Sequence, residues 1–217
     1  MEHIQLEKQN KEYGFLESQS ELFKLITYKL QSKEKICVAI SGKSGSGKTT
    51  YLDLLEKNLQ QEGCKIFKFN LDNYYKDEED LIDKNWEKEN ALKIDQAKAD
   101  IKTLLEGNNI QMPLYNFKLN KQDGEKRIQM KDKIIVVEGM YALLLNPDIL
   151  VYINSNKSKS RRAKRDLERK GRTIYDTEQL YEKVVDPEYQ KNIKEKYLDN
   201  YKIIPDIYVN NNVDLDI

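Results

Sequence analysis

Residues 42–49 read GKSGSGKT, and no other segment restricts the fold of this chain as strongly. The pattern G-x-x-x-x-G-K-[ST] is typical of a loop that joins a buried strand to a helix and holds phosphates. Both flanks agree with it, because KICVAIS (35–41) is an apolar run and Leu52, Leu55 and Leu59 share one face of a predicted helix. We therefore predict that this loop binds the phosphates of a nucleoside triphosphate.

Each residue type in the loop has a physical role. The glycines at 45 and 47 can adopt backbone angles that turn successive N–H groups toward a polyanion, and the following helix adds its positive N-terminal end. Lys48 is expected to reach the β- and γ-phosphates, and the Thr49 hydroxyl is expected to bind Mg²⁺. The predicted nucleotide contacts in this segment are Gly42, Lys43, Ser44, Gly45, Ser46, Gly47, Lys48, Thr49 and Thr50.

The rest of the chain alternates predicted strands with predicted helices. Such alternation is typical of an α/β fold with a doubly wound, mainly parallel sheet flanked by helices. We also expect a β-hairpin arm that turns at Asp123-Gly124, a break in the last helix at Pro187, and a division into an N-terminal extension (1–34) and one phosphate-loop domain (35–217). Apolar runs predict strands at 35–41, 65–71, 133–139, 149–154 and 205–211, and helical periodicity predicts helices at 18–31, 49–61, 94–107, 156–170 and 177–202.

The chain of 217 residues carries 37 basic and 37 acidic side chains, a balance that argues against nucleic-acid binding. It has no run of about 18 apolar residues, so no membrane-spanning helix is expected, and its polar start does not resemble a signal peptide. Cys37 and Cys64 each begin an apolar run and are expected to be buried thiols in a reduced, cytoplasmic protein. Because the only histidine is His3, we look for a general base among the carboxylates.

Two carboxylates stand at the ends of predicted strands. Asp72 follows the 65–71 strand, and Glu138 lies at the end of the 133–139 strand. Since the carboxyl ends of parallel strands share one edge, where ligands bind, both are expected to face the phosphate loop. Asp72 is predicted to be the general base, and Glu138 to position Mg²⁺ directly or through water. Either residue alone could equally be a helix cap or a loop carboxylate, but the shared edge favours a functional role.

Arginine is concentrated in one predicted helix and the turn after it, at Arg161, Arg162, Arg165, Arg169 and Arg172. A run of charges is usually a solvated face, yet the chain elsewhere prefers lysine, and three of these arginines recur at a spacing of four. The forked guanidinium group suits phosphate oxygens better than an ammonium group does. We therefore predict a lid that brings arginine to the transferring phosphoryl group.

Residues 120–123 read NKQD and match the guanine-reading pattern N-K-x-D of GTPases. We reject this match because the segment precedes the 133–139 strand and no D-x-x-G accompanies it. Its composition is also typical of a turn.

Over about residues 35–210 the chain resembles the uridine kinase branch of the phosphoribulokinase/uridine kinase family. The resemblance rests on ISGKSGSGKTT, LDNYYKD, NWEKENAL, IQMPLYNF, VVEGMYALL, RRAKRDLERKGRT and IIPDIYVNN, in this order. It implies ATP or GTP as donor, Mg²⁺ as cofactor, and transfer of a phosphate to the 5′-hydroxyl of uridine or cytidine. The family also suggests a homo-oligomer.

The family's motifs imply roles for individual residues. The D-x-[FY]-Y motif matches Asp72 and Tyr75, and the carboxylate that grips the ribose matches Glu87, where aspartate is usual. The aromatic pair around the pyrimidine matches Tyr115 and Phe117. The resemblance further implies a magnesium-associated Glu138, lid arginines at Arg162 and Arg165 with Arg172 in the K-G-R turn, and a position near the base for Asn120. The predicted nucleotide contacts also include Arg161 of the arginine-rich helix, and the predicted acceptor contacts include Met140. Asp72, Lys48 and Arg165 form the expected catalytic set.

Three positions depart from the family's pattern. Asn120 stands where a histidine usually reads the base, Leu180 replaces a glutamine, and Lys170 replaces an arginine. Because a site that loses polar partners discriminates less between analogues, two alternatives stay open. One is a kinase of the same fold that acts on another small alcohol, and the other is a nucleotide-dependent switch or binding module.

Overall fold

The computed structural model describes residues 12–81 and 83–212, so His3 lies outside the described part of the chain. In chain order the strands are β1 (Glu12–Gly14), β2 (Ile36–Gly42), β3 (Ile66–Asn70), β4 (Ile110–Asn116), β5 (Lys121–Ile128), β6 (Ile134–Glu138), β7 (Ile149–Asn154) and β8 (Ile207–Asn210). The α-helices are α1 (Phe15–Leu30), α2 (Lys48–Gln61), α3 (Ile94–Leu105), α4 (Ser158–Lys170), α5 (Ile174–Leu180) and α6 (Asp186–Tyr189).

Six strands form one sheet in the order β1-β8-β7-β2-β6-β3, and every neighbouring pair is parallel. The predicted α/β class with a doubly wound parallel sheet is therefore confirmed. The sequence analysis did not predict strand β1, because its three residues, Glu12–Gly14, contain no apolar run. It adds to the edge of the sheet by pairing with β8.

Helices cover both faces of this sheet. Along β2, the side chains of Ile36, Val38 and Ile40 pack into one core with α1 and α2, whereas Cys37 and Ala39 pack into a second core with α3 and the hairpin. Alternate residues of a strand point to opposite faces, so a strand buried on both sides must be apolar throughout. Both cysteines are free thiols; Cys37 is buried as expected, but Cys64 is half-buried.

Helix α1 packs on the same sheet as the rest of the chain, against α2, β2 and β8. The ring of Phe15 meets that of Tyr51 edge to face, with 5.1 Å between their centres. Gln19 Nε2 donates to the carbonyl oxygen of Tyr51 over 3.1 Å. The division of the chain at residue 34 stays a prediction. It can be tested by weakening the packing of α1.

The hairpin arm is present, but the prediction that it turns at Asp123-Gly124 is wrong. Its turn is formed by residues 117–120, and both Asp123 and Gly124 lie inside β5. The Asn116 side chain stabilises the turn by accepting N–H groups from Lys118 and Leu119, and Asn120 adopts a positive φ of 50°. Gly124, with φ of 102°, instead serves a bulge, where the register between β4 and β5 shifts.

The chain remains helical from Ile174 to Asn200, and we call this whole segment the C-terminal helix. It consists of α5, a π-helical turn (Tyr181–Val185), α6 and a second π-helical stretch (Gln190–Asn200). The expected break at Pro187 is therefore not observed. A proline lacks an N–H group and crowds the carbonyl four residues earlier. The wider π-helical turn just before α6 changes the hydrogen-bond register there, which lets the helix continue.

We expect Leu22→Ala, in the middle of α1, to lower the free energy of unfolding of the whole protein by about 2–5 kcal/mol, the usual cost of truncating a buried leucine. Leu22 is fully buried, whereas Leu16 on the same helix is 61% exposed. Leu16→Ala is the matched control and should change stability by less than about 0.5 kcal/mol. Equilibrium unfolding in urea measures both. A separate, earlier transition that alone responds to Leu22→Ala would show that residues 1–34 fold independently.

Candidate active site

Three neighbouring strands bring the predicted site residues to one edge of the sheet. In the register of the sheet, Glu138 at the end of β6 lies between Ile40 of β2 and Asn70 of β3. The phosphate loop begins two residues after Ile40, and Asp72 follows Asn70 by two residues. The fold therefore brings the loop and both carboxylates together, as expected for the carboxyl edge of a parallel sheet.

The glycines of the phosphate loop are required by close packing as well as by backbone angle. A Cβ atom on Gly45, where φ is 84°, would lie 2.2 Å from the carbonyl oxygen of Ser158, the first residue of α4. A Cβ atom on Gly47, where φ is 97°, would lie 2.4 Å from Asn211 Nδ2. The loop is thus pressed between the start of α4 and the residues after β8, and any side chain would displace it.

Lys48, the first residue of α2, lies over the loop. Its ammonium group donates to the carbonyl oxygens of Gly42, over 3.1 Å, and Lys43, over 2.9 Å. Burial lowers the pKa of this ammonium group, while the charges of Glu138 and Asp72 act in the opposite direction. A cation held in this way is available to contact phosphates at the loop.

Thr49 and Glu138, the two residues predicted to hold magnesium, lie together beside the phosphate loop. The Thr49 hydroxyl donates to Glu138 Oε1 over 2.9 Å, so two side-chain oxygen groups are adjacent there. Mg²⁺ prefers oxygen ligands and is usually bound by few protein groups together with substrate phosphates and water. Among the described residues there is no group of three or more acidic, cysteine or histidine side chains able to hold a metal by itself.

The remaining loop residues differ in their surroundings. The Ser46 side chain is buried, Ser44 is half-buried, and Thr50 is exposed at the start of α2. Lys43 forms an ion pair with Asp186 of the C-terminal helix, a contact that the sequence did not predict. The nucleotide contacts predicted for these residues stay predictions.

Asp72 lies in a short turn of 3₁₀-helix after β3, with its side chain open to the cleft. Its N–H group donates to Asn70 Oδ1 over 3.1 Å, which holds the start of the turn. Burial of the carboxyl group among the atoms of the cleft is the main cause of its raised pKa; the charge of Glu138 adds to it, and Lys48 and Arg165 oppose it. A carboxylate with a raised pKa is a stronger proton acceptor than an ordinary aspartate.

Glu87 and Arg162 meet across the cleft between the 83–93 loop and α4. Arg162 NH2 donates to Glu87 Oε1 over 2.8 Å, and both side chains are largely buried. The backbone of Glu87 is held as well, because its carbonyl oxygen accepts a hydrogen bond from the Tyr141 hydroxyl over 2.8 Å. Helix α4, predicted to form a lid, is therefore attached to this loop by a charge-assisted hydrogen bond.

The other arginines have different environments. Arg165 donates from Nε and NH2 to Oδ1 of the buried Asp166, over 3.0 and 2.9 Å. Arg161 instead contacts Ser155 and the carbonyl oxygen of Asn211. Arg172 is exposed just beyond Gly171, and the side chain of Arg169 lies outside the described part of the chain.

Four aromatic rings form a box beside the carboxylates. The ring centres of Tyr75 and Tyr115 lie 5.8 Å apart, and Phe117 lies 5.0 Å from Tyr115 and 6.2 Å from Tyr75. Trp86 completes the box, with its ring 5.6 Å from Tyr75 and 6.1 Å from Tyr115. Burial raises the pKa of Tyr75 well above its ordinary value, and the charges of Asp72 and Glu87 add to this effect.

Sequence analysis missed Trp86 as a site residue, although it directly precedes Glu87 and is the only tryptophan in the chain. Two residues that were predicted to contact the acceptor form hydrogen bonds with other parts of the protein. Asn120 Nδ2 donates to Glu78 Oε2 over 3.1 Å, and the carbonyl oxygen of Met140 accepts the Ser41 hydroxyl over 2.7 Å. Contacts of these two residues with an acceptor stay predictions.

Comparison with known proteins identifies the family. The model of the Phosphoribulokinase / Uridine kinase family matches residues 37–212. The chain belongs to this family. The uridine kinase of Clostridium novyi (strain NT) is 34% identical over 179 residues, which cover 76% of this chain and 85% of that protein. The uridine kinase of Brevibacillus brevis is 31% identical over 186 residues, which cover 79% of this chain and 85% of the relative. As a member of the family, the protein is a P-loop phosphotransferase that acts on a hydroxyl acceptor.

A solved structure of D-glycerate 3-kinase from Cryptococcus neoformans has the same fold. It superposes with a TM-score of 0.64 at 12% sequence identity and covers 83% of this chain and 88% of that one. At this identity the likeness concerns the fold alone.

In the described ranges 12–81 and 83–212, no helix is long and apolar enough to cross a membrane.

We expect Gly45→Ala to weaken binding of the analogue AMP-PNP with Mg²⁺ by about 100-fold, because a shift of about 1 Å in a binding group can have an effect of this size. Gly63→Ala is the matched control: Gly63 also has a positive φ, of 74°, but a Cβ atom there would have no neighbour within 4 Å. The control should lose some stability and keep its affinity. Isothermal titration calorimetry measures both, and equal affinity in the two variants would contradict the role given to the close packing at Gly45.

Proposed function

We propose that this phosphotransferase moves the γ-phosphate of ATP, or of GTP, to the 5′-hydroxyl of uridine or cytidine. The observation that carries the proposal is the aromatic box of Tyr75, Trp86, Tyr115 and Phe117 beside the carboxylates Asp72 and Glu87. Aromatic rings favour a flat, apolar face such as a pyrimidine base, whereas carboxylates favour the hydroxyl groups of a sugar. A nucleoside presents both surfaces in one small molecule.

In this reaction the 5′-oxygen of the nucleoside attacks the γ-phosphorus in line. Asp72 accepts the proton of the 5′-hydroxyl, the bond between the γ-phosphorus and the bridging oxygen breaks, and the nucleoside diphosphate departs. The raised pKa of Asp72 suits this role, because a general base works best when its pKa approaches the working pH. Most of the acceleration would come from positioning and charge stabilisation.

The donor's phosphates would bind the N–H groups of residues 42–50 and the ammonium group of Lys48. Thr49 and Glu138 would hold Mg²⁺, which supplies charge neutralisation at the β- and γ-phosphate oxygens. Arg165 is the lid residue proposed for the transferring group, since its charge already acts on Asp72 and Lys48. Arg161, which shares a helix face with Arg165 at a spacing of four, would contact the donor as well.

On the acceptor side, Glu87 would accept hydrogen bonds from the ribose hydroxyls, with Arg162 fixing its orientation. The cluster of Tyr75, Trp86, Tyr115 and Phe117 would offer an aromatic surface to one side of the base. Asn120 and Arg172 are included in the acceptor site by the family resemblance, and Met140 by prediction from the sequence. A cytoplasmic location and a homo-oligomer stay predictions of the sequence.

A kinase for another small alcohol is the main alternative, since D-glycerate 3-kinase shares this fold. A nucleotide-dependent switch is the second alternative. It would require neither a carboxylate with a raised pKa in the cleft nor an aromatic box beside it, so both observations favour a kinase.

The proposed acceptor is tested by measuring ADP release from ATP and Mg²⁺ across nucleosides, sugars and small hydroxy acids. Uridine and cytidine should stimulate release strongly, and glycerate should not. Stimulation by another alcohol alone would keep the mechanism and change the acceptor. Slow release with no dependence on any acceptor would favour the switch.

We expect Asp72→Asn to lower turnover by about 100-fold or more, the lower range for loss of a general base, with affinity for AMP-PNP almost unchanged. Asp80→Asn, on an exposed turn of the same loop, is the control. The pH profile of the wild type supplies a second check. Asp72 accepts a proton only when it is ionised. Because its pKa is raised, kcat/KM should decrease as the pH drops through a value above the ordinary pKa of an aspartate. Wild-type turnover in Asp72→Asn would exclude Asp72 as the base.

A further inference from the structure

Lys43 connects the phosphate loop to the C-terminal helix. Lys43 Nζ lies 2.5 Å from Asp186 Oδ1 and 4.9 Å from the centre of the Tyr189 ring. The Lys43 side chain is 17% exposed and that of Asp186 is 37% exposed, so solvent screens this pair in part. The pair is a direct contact between the phosphate loop and Asp186.

The same helix also holds the loop that carries Glu87. Asn85 Nδ2 donates to Glu188 Oε1 over 2.9 Å, and Asn85 Oδ1 accepts the N–H group of Glu87 over 3.0 Å. A second attachment lies further along the helix, where Lys196 and Tyr197 both bind the carboxylate of Glu89. The 83–93 loop, which we call the acceptor loop, is therefore attached to the C-terminal helix through Asn85 and through Glu89.

Asp186 and Glu188 belong to α6, a single α-helical turn between two π-helical stretches. Successive residues of an α-helix are rotated by about 100°, so these two side chains point in nearly opposite directions. One reaches the phosphate loop and the other reaches the acceptor loop. A displacement of α6 would move both attachments, and π-helical turns are frequently found at functional sites.

We propose that Asp186 is a positioning residue that couples the nucleoside triphosphate site to the acceptor site. When phosphates bind residues 42–49, they attract the Lys43 ammonium group and alter its pairing with Asp186. The position of α6 then changes, and Glu188 and Asn85 transmit this change to Glu87. The coupling rests on the proposed function, because it needs the acceptor to bind beside Glu87. We expect the acceptor to bind more tightly when nucleotide is present, and by linkage each ligand must then strengthen the binding of the other by the same factor.

The test measures the dissociation constant of uridine by isothermal titration calorimetry, with and without saturating AMP-PNP and Mg²⁺. In the wild type, the nucleotide should strengthen uridine binding by about fivefold or more, the lower end of typical coupling. In Asp186→Asn, uridine should bind as in the wild type without nucleotide. The strengthening by nucleotide should fall to about twofold or less, as for independent sites. A structural defect would weaken uridine binding under both conditions, which distinguishes it from lost coupling.

Further variants locate the effect in the proposed contacts. Glu188→Ala breaks the attachment to the acceptor loop and should also remove the coupling. Lys43→Met combined with Asp186→Asn should lose no more coupling than either single change, because both act through one ion pair. Glu195→Gln is the matched control, since Glu195 is an exposed carboxylate on the same helix and should keep the wild-type coupling.

The two ways to fail are distinguishable. A wild type that neither binds nor phosphorylates uridine would overturn the proposed acceptor and the coupling stated for it. Normal uridine turnover, with the same coupling factor in Asp186→Asn as in the wild type, would overturn the coupling alone.

Discussion

The parallel pairing of β2 and β3 with β6 is the constraint on which the rest of the structure depends. It sets Ile40, Glu138 and Asn70 side by side, so that the phosphate loop and both carboxylates leave the sheet at one edge. The pairing itself is stabilised by burial on both faces, because the three strands are covered by helices and the hairpin. A slip of one residue would move every side chain of a strand to the opposite face of the sheet. Because both faces are packed against the core, such a slip is unfavourable, and the alignment of Ile40, Glu138 and Asn70 is fixed.

Charge balance governs the chemistry at this edge. Burial lowers the pKa of Lys48, and the charges of Glu138, Asp72 and Glu87 oppose this effect. Burial raises the pKa of Asp72; the charges of Glu138 and Glu87 add to the rise, and Lys48 and Arg165 oppose it. Added phosphates would increase the negative charge of the cleft, and the close arginines of α4 and a magnesium ion are the groups that can offset it. This distribution of charge supports the proposal that a polyanion binds in the cleft together with a metal ion.

Much of this site could be predicted from residues alone. The phosphate loop and Asp72 come just after apolar strands, and Glu138 ends one, so the apolar pattern was enough to place them at one edge of the sheet. The family motifs point to Tyr75, Glu87 and the aromatic pair. Trp86 was missed because a lone aromatic in a long polar loop gives no periodic signal. The turn of the hairpin was misjudged because Asp-Gly is typical of both turns and bulges, and only pairing with β4 distinguishes them. The helix through Pro187 was misjudged because a π-helical turn has no sequence signature of its own.

The sequence by itself determined the class of fold and the chemistry of the phosphate loop, since both depend on local patterns: apolar strands, amphipathic helices, and glycines followed by lysine and threonine. Tertiary structure alone decided which distant groups meet. Lys43 pairs with Asp186, 143 residues away, and Arg162 pairs with Glu87, 75 residues away. Such contacts are set by how the helices pack on the two faces of the sheet. No local propensity encodes them, because each partner taken alone is only an ordinary charged residue in a chain rich in charge.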